Sequence, residues 1–114
     1  MVRRGQEMLW ETREKMRGGK GSVSICHLEK ELLPANGRLF ARITIEPGCS
    51  IGGHEHVGEA ELFYFVSGEG VVTDDGAQVP VKAGDAMTTA SGHSHSVENT
   101  GKEALVMIAA IIKE

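Results

Sequence analysis

From Asn36 onward, turn-forming residues recur at short intervals: Asn36-Gly37, Pro47-Gly48, Gly52-Gly53, Gly68-Glu69-Gly70, Asp74-Asp75-Gly76, Ala83-Gly84-Asp85, Ser91-Gly92 and Thr100-Gly101. Between them lie short stretches rich in Val, Ile, Thr and aromatic residues. Strands at this spacing, closed by Gly and Asx turns, indicate an all-β sandwich or barrel. There is no alternation of strands with helical patterns, so a parallel α/β sheet is not expected.

The periodicity inside the stretches agrees. Leu39, Ala41, Ile43 and Ile45 alternate with Arg38, Arg42 and Thr44, the period of two of a strand with one face in a core. Phe40 falls on the polar side, which implies that this side is not fully solvated. In the last stretch Leu105, Met107, Ala109 and Ile111 share one face, and Val106, Ile108, Ala110 and Ile112 the other. Burial on both faces is implied, and in a chain this small the second face reads as a subunit interface.

The N-terminal region reads differently. Glu7 to Arg17 could form one short helix ended by Gly18-Gly19, with Glu11 and Lys15 at a favourable i,i+4 spacing. Met8, Leu9, Trp10 and Met16 make a poor apolar stripe, however. The alternative is an arm that docks Trp10 on the barrel or on a partner subunit. Ser22 to Leu28 reads as a strand and Glu29 to Ala35 as a connection. The expected organisation is an arm and first strand over 1–36 and a barrel over 37–114, one domain overall.

The 114 residues are 40% apolar and 25% charged, enough for one core. A net charge of −4 with scattered Lys and Arg provides no basic face for a phosphate backbone, and nucleic acid is not an expected partner. The longest apolar run, Leu105 to Ile112, is far short of the roughly 18 residues of a membrane-spanning helix. Met1-Val2-Arg3-Arg4-Gly5 is not followed by the apolar core of a signal peptide, and the expected location is cytoplasmic. Cys26 and Cys49 form no CxxC pair and read as reduced thiols.

Chemistry concentrates in "GCSIGGHEHVGEAELFYFVSG", Gly48 to Gly68. In an extended segment residues two apart point the same way, so His54 and His56 present two imidazoles to one face. Glu61, beyond a tight turn at Gly58, can complete the grip. Phe63 and Phe65 share its face, and a lone buried carboxylate there is costly unless it meets a cation. Further on, "GDAMTTASGHSHSVEN" contains His95, a third imidazole. Read alone, an HxH pair favours solvated loop residues over metal ligands. Glu55 and Glu59, on the wrong face or in the loop, read as solvent-exposed, and His27 as an ordinary strand residue.

Taken together, the two stretches resemble the cupin superfamily. Gly48, His54, His56, Glu61 and Gly68 fill the five fixed positions of its first motif, G-x5-HxH-x4-E-x6-G. Gly84, Gly92, His95 and Asn99 match the second, G-x5-P-x-G-x2-H-x3-N, with Ala90 where proline is usual. The resemblance covers Leu39 to about Ile112. It implies an antiparallel jelly-roll β-barrel, a homodimer, and a metal held inside by His54, His56, Glu61 and His95. Among metals Mn(II) leads, with Fe, Zn, Ni, Co or Cu as alternatives, because this nitrogen and oxygen donor set accepts all of them.

By parity the pocket lining is expected from Ile43, Ile45, Phe63, Phe65, Leu105, Met107 and Met87. The ligand is expected to be a small carboxylate such as oxalate, chelated by the metal. The window most resembles oxalate-decarboxylase-like and germin-like cupins, which implies a Mn- or Fe-dependent decarboxylase or dioxygenase. The arginine that such decarboxylases carry shortly before the HxH pair is replaced by Ile51-Gly52-Gly53, and Arg38 and Arg42 have outward parity. Tyr64, on the opposite face from Phe63 and Phe65, is assigned to packing or to an interface. His93 is the one candidate for proton transfer. The alternative is a metal-dependent binding or sensing module without turnover. An arginine or glutamate reaching the metal would favour catalysis, and a wholly apolar surround would favour binding.

Overall fold

The computed structural model describes all 114 residues. Ten strands follow in order: β1 (Leu9–Glu14), β2 (Ser22–Glu29), β3 (Gly37–Ile45), β4 (Ser50–Glu55), β5 (Glu59–Ser67), β6 (Glu69–Asp74), β7 (Ala77–Lys82), β8 (Ala86–Thr89), β9 (Ser94–Glu98) and β10 (Leu105–Lys113). They form a six-stranded sheet, β1-β2-β3-β10-β5-β8, and a four-stranded sheet, β4-β9-β6-β7. Every pairing is antiparallel. The expected all-β fold is thus present, as two antiparallel sheets without an α-helix.

The inward residues follow the predicted parity. Val23 and Ile25 of β2, Ile43 and Ile45 of β3, Phe65 of β5, and Leu105 and Met107 of β10 are almost completely buried, facing Ile51, Val72 and Val97 of the other sheet. Burying side chains of this size contributes about 1.5–3 kcal/mol each. Asn99, the last residue of the second motif, is a buried clamp. Its Nδ2 donates to the carbonyls of Ile45 and Glu103 at 2.8 Å, and its Oδ1 accepts from the Gly101 amide.

No helix forms over Glu7–Arg17. Two single 3₁₀ turns, Gly5–Glu7 and Met16–Gly18, flank β1 instead. The reason is the missing stripe: apolar residues that cannot form one helical face leave the backbone better satisfied in the ladder with β2, from Leu9 opposite His27 to Glu14 opposite Ser22. Trp10 does not dock on its own chain and remains 59% exposed.

After β1 the chain makes a tight excursion, with Lys15 and Arg17 both in the left-handed region at φ 48° and 55°. This strap, residues 15–21, then crosses to β4. The Lys20 amide donates to Ser50 Oγ and the Ser50 amide to the Lys20 carbonyl, both at 2.9 Å. Contact is so close that a Cβ on Gly52 would overlap the Arg17 carbonyl, and one on Gly19 the Ser50 carbonyl. Glycine at 19 and 52 is what lets the two backbones touch.

The outer face of the six-stranded sheet is apolar. The register aligns Trp10, Cys26, Arg42, Ile108 and Tyr64 across five strands; Trp10 and Tyr64 in that row are exposed, as are Phe40, Leu62 and Val66, while Cys26 is buried. No helix is long and apolar enough to cross a membrane.

Candidate metal centre

His54, His56 and His95 come together through the pairing of β4 with β9. Ile51 lies opposite Val97 and His54 opposite His95, so β4 has one more residue than β9 between these pairs. That bulge at Gly52-Gly53 lets Ile51 and His54, of opposite parity, both face inward. The ladder then continues past the strand end, the His56 amide donating to the His93 carbonyl and the Gly92 amide to the His56 carbonyl. Glu61 enters from the other sheet, on β5 between Thr89 of β8 and Ile111 of β10.

One ligand atom from each of the four residues lies within 4.8 Å of every other. The His56 and His95 Nε2 atoms are 3.1 Å apart and those of His95 and His54 3.2 Å. Glu61 Oε1 is 2.9 Å from His56 Nε2 and 3.1 Å from His95 Nε2. His56, Glu61 and His95 are buried, and His54 is half-buried at the rim.

The opposite edge of each ring explains why the cluster is a donor set. His54 Nδ1 donates to the Gly52 carbonyl at 2.9 Å and His56 Nδ1 to Glu59 Oε1 at 3.1 Å, and His95 Nδ1 lies 2.7 Å from Thr89 Oγ1, a hydroxyl able to accept from it. With each proton on Nδ1, three Nε2 lone pairs and a carboxylate oxygen face one another. Lone pairs cannot satisfy lone pairs, and such a convergence fits a cation. Separations near 3 Å are roughly the edge of an octahedron whose bonds slightly exceed 2 Å. Burial, more than any other factor, holds His54 below its ordinary value of 6.5, which favours the neutral, ligating form.

Glu59 is a correction to the sequence reading. It is nearly buried, bound to His56 on one side and clamped on the other by Arg38, whose Nε and Nη2 donate at 2.6 and 2.7 Å. The Arg38 guanidinium, with help from His56, holds its carboxyl down to about 2. Arg38 keeps its outward parity, but at the open end of β3 its long side chain reaches over the rim.

Above the cluster is a small cavity, about 70 Å³. Ile43 and Phe63 line it together with His54, His56 and Glu61. Phe65 and Met107 are fully buried in the core and Met87 packs against it, and none of the three lines the cavity. The wall instead includes Ile25, Leu39, Ile51 and Ile111, and its rim carries Arg13, Met16, Arg17 and Arg38. His93 lies outside. It is exposed, and its Nδ1 donates to Asp75 in the β6–β7 turn. Glu55 is exposed, while His27 is buried in β2 with Nε2 3.6 Å from Glu11. Cys26 and Cys49 are free thiols.

Comparison with known proteins agrees with this geometry. The Cupin domain family matches residues 41–111. The oxalate-binding protein of Thermotoga maritima is 50% identical over 113 residues, covering 98% of this chain and 93% of that protein. A crystal structure of a predicted oxalate decarboxylase from Thermotoga maritima superposes with a TM-score of 0.94 at 50% identity, covering all of both chains. The cupin domain of Schizosaccharomyces pombe Cnp3, at 15% identity, covers 91% of this chain and 69% of its own with a TM-score of 0.75, a likeness of fold alone.

Proposed function

The chain belongs to the cupin superfamily, and on that premise we propose that it binds a small dicarboxylate of the oxalate type through a divalent metal held by His54, His56, Glu61 and His95. The observation that carries the proposal is the convergence of three Nε2 atoms and Glu61 Oε1 while every Nδ1 is engaged elsewhere. The half-identical relative named for oxalate binding supports the choice of ligand. Mn(II) is the ion proposed, with Fe, Zn, Ni, Co and Cu competing according to availability because the donor set accepts all of them. A divalent ion on three neutral imidazoles and one carboxylate leaves a charge of about +1 and open positions that polarise a chelating carboxylate.

The protein's own residues do the rest. Gly52, Glu59 and Thr89 fix the rings so that they need not reorganise when the ion enters. Ile25, Leu39, Ile43, Ile51, Phe63 and Ile111 keep bulk water from the chelate and limit the ligand to a few atoms.

Arginines on the wall meet the criterion that favours catalysis, but no group there besides the ligands can supply a proton, and on that ground we infer binding without turnover. Apart from the ligands, the ionisable groups on its wall are arginines, which orient anions but do not exchange protons near neutrality. The arginines at the rim are the feature that a decarboxylase reading would use. Such a reaction also needs a proton at the carbon that loses carbon dioxide, and His93 faces Asp75 instead. We also infer self-association through the apolar outer face of the six-stranded sheet, in a reducing cytoplasm where Cys26 and Cys49 stay thiols.

The test is elemental analysis of untagged protein followed by oxalate titration. About one metal per chain with saturable oxalate binding is expected, with no formate release or oxygen uptake. Formate release would replace the binding reading with a decarboxylase, and metal-loaded protein indifferent to oxalate would overturn the ligand. Sedimentation at micromolar concentration tests self-association, which a monomer would refute.

A further inference from the structure

We propose that Arg17, carried by the N-terminal strap, is the carboxylate receptor that reads the second negative charge of the ligand. The inference rests on the dicarboxylate reading above and deepens it. Three arginines line the cavity rim, Arg13, Arg17 and Arg38. Two are already engaged: Arg38 is clamped on Glu59 through two hydrogen bonds, and Arg13 Nε donates to Glu11 at 2.6 Å. Arg17 forms no hydrogen bond or ion pair with the protein, yet it lines the same cavity as His54, His56 and Glu61.

The charge count calls for such a group. A loaded site of about +1 leaves one charge of a dianion unmatched, in a cavity whose remaining wall is largely apolar. A guanidinium at the rim matches it with paired N–H donors.

The backbone shows how Arg17 is brought to the cavity. Its left-handed conformation, φ 55° and ψ 30°, is unusual for a residue with a side chain, and it is held there by the close approach of the strap to β4 at Gly52. Gly52 is part of the stretch before the HxH pair that lacks an arginine. The place where a side chain is missing is where a backbone from another segment docks and brings an arginine with it.

The experiment uses Mn-loaded full-length protein and compares oxalate, a dianion, with glycolate, a monoanionic chelator. Arg17→Gly removes the side chain in a conformation that glycine adopts freely, Arg17→Gln keeps the stem should glycine loosen the strap, and Arg17→Lys keeps the charge. Expected is a loss of roughly 10- to 100-fold in oxalate affinity for Arg17→Gly and Arg17→Gln, partly recovered in Arg17→Lys. Glycolate and Mn affinities should change by less than about threefold. Unchanged oxalate affinity in both neutral variants, or an equal loss for glycolate, overturns the assignment while leaving the metal-chelate reading in place. Wild-type protein that holds Mn but ignores oxalate overturns the reading beneath it, and this assignment with it.

Discussion

The floor of the cavity and its strap are held in different ways. On the floor, His54, His56 and His95 stand on or beside paired strands, and each ring is fixed by a hydrogen bond from Nδ1 to a carbonyl, a carboxylate or a hydroxyl. The strap, residues 15–21, has two left-handed non-glycine residues and is fastened to β4 by backbone contacts at Gly19, Lys20 and Gly52. A site that must present several donors to one ion needs the rigidity of paired strands. A segment that selects what chelates the ion can be changed without disturbing the donors. The floor would then set metal affinity and the strap ligand choice, and each part can be broken separately.

The largest effect should come from the floor. His56→Ala removes one ligand and leaves Glu61 with one fewer partner, and metal affinity should fall by more than about 100-fold, with oxalate binding lost in consequence. Equilibrium dialysis against Mn measures it, and a variant that retained a full complement of metal would remove His56 from the ligand set. Glu59→Ala tests the next layer. Losing the carboxylate that orients His56 should cost roughly 10- to 100-fold in metal affinity, and Arg38 would be left unpaired at the rim. If the freed Arg38 then strengthened oxalate binding relative to metal, Glu59 would be restraining that arginine as well as positioning the imidazole.

How legible each part was follows from how it is built. The floor is local: His54 and His56 two residues apart, Glu61 beyond the Gly58 turn, and His95 after Gly92 can be read from strand parity and turn chemistry. The bulge at Gly52-Gly53 could not be read, and without it Ile51 and His54 would face opposite ways. Glu59 was misjudged because parity describes a strand, whereas this residue follows the Gly58 turn and folds back on His56 three residues earlier. A carboxylate at that spacing across a glycine turn was the available signal. The strap left no comparable trace. Its docking depends on two glycines separated by more than thirty residues, and a composition of Met, Arg, Gly and Lys gives neither a helical stripe nor a strand alternation.

Gly52→Ala acts on the strap and keeps every ligand side chain, as well as the backbone carbonyl at 52 that accepts from His54 Nδ1. Its Cβ would overlap the Arg17 carbonyl, so the strap must lift from β4. Oxalate affinity should drop about 10-fold while Mn affinity changes by less than about threefold. Isothermal titration with each partner separates the two. Equal losses in both would show that the strap also holds the bulge of β4 in place, and the division between floor and strap would fail.

The smallest expected effect is the pH dependence of the metal-free protein, and it sharpens the same division because both groups concerned belong to the floor. Burial lowers His54 in the folded state from 6.5, so the folded protein binds fewer protons there than the unfolded chain. The associated stability is present above 6.5 and is lost as pH falls through the lowered value. Glu59, lowered from 4.5 to about 2 chiefly by Arg38, contributes stability that is present above 4.5 and is lost as pH falls toward about 2. Thermal unfolding of metal-free protein should therefore weaken in two windows, one below pH 6.5 and one below pH 4.5. Glu59→Gln should remove most of the lower decline and keep the upper, and saturating Mn should move the upper to lower pH because bound metal competes with the proton on the imidazole. Arg17→Gly, by contrast, should leave the lower window unchanged. If it reduced that decline as much as Glu59→Gln does, the strap would be part of the floor's own electrostatics.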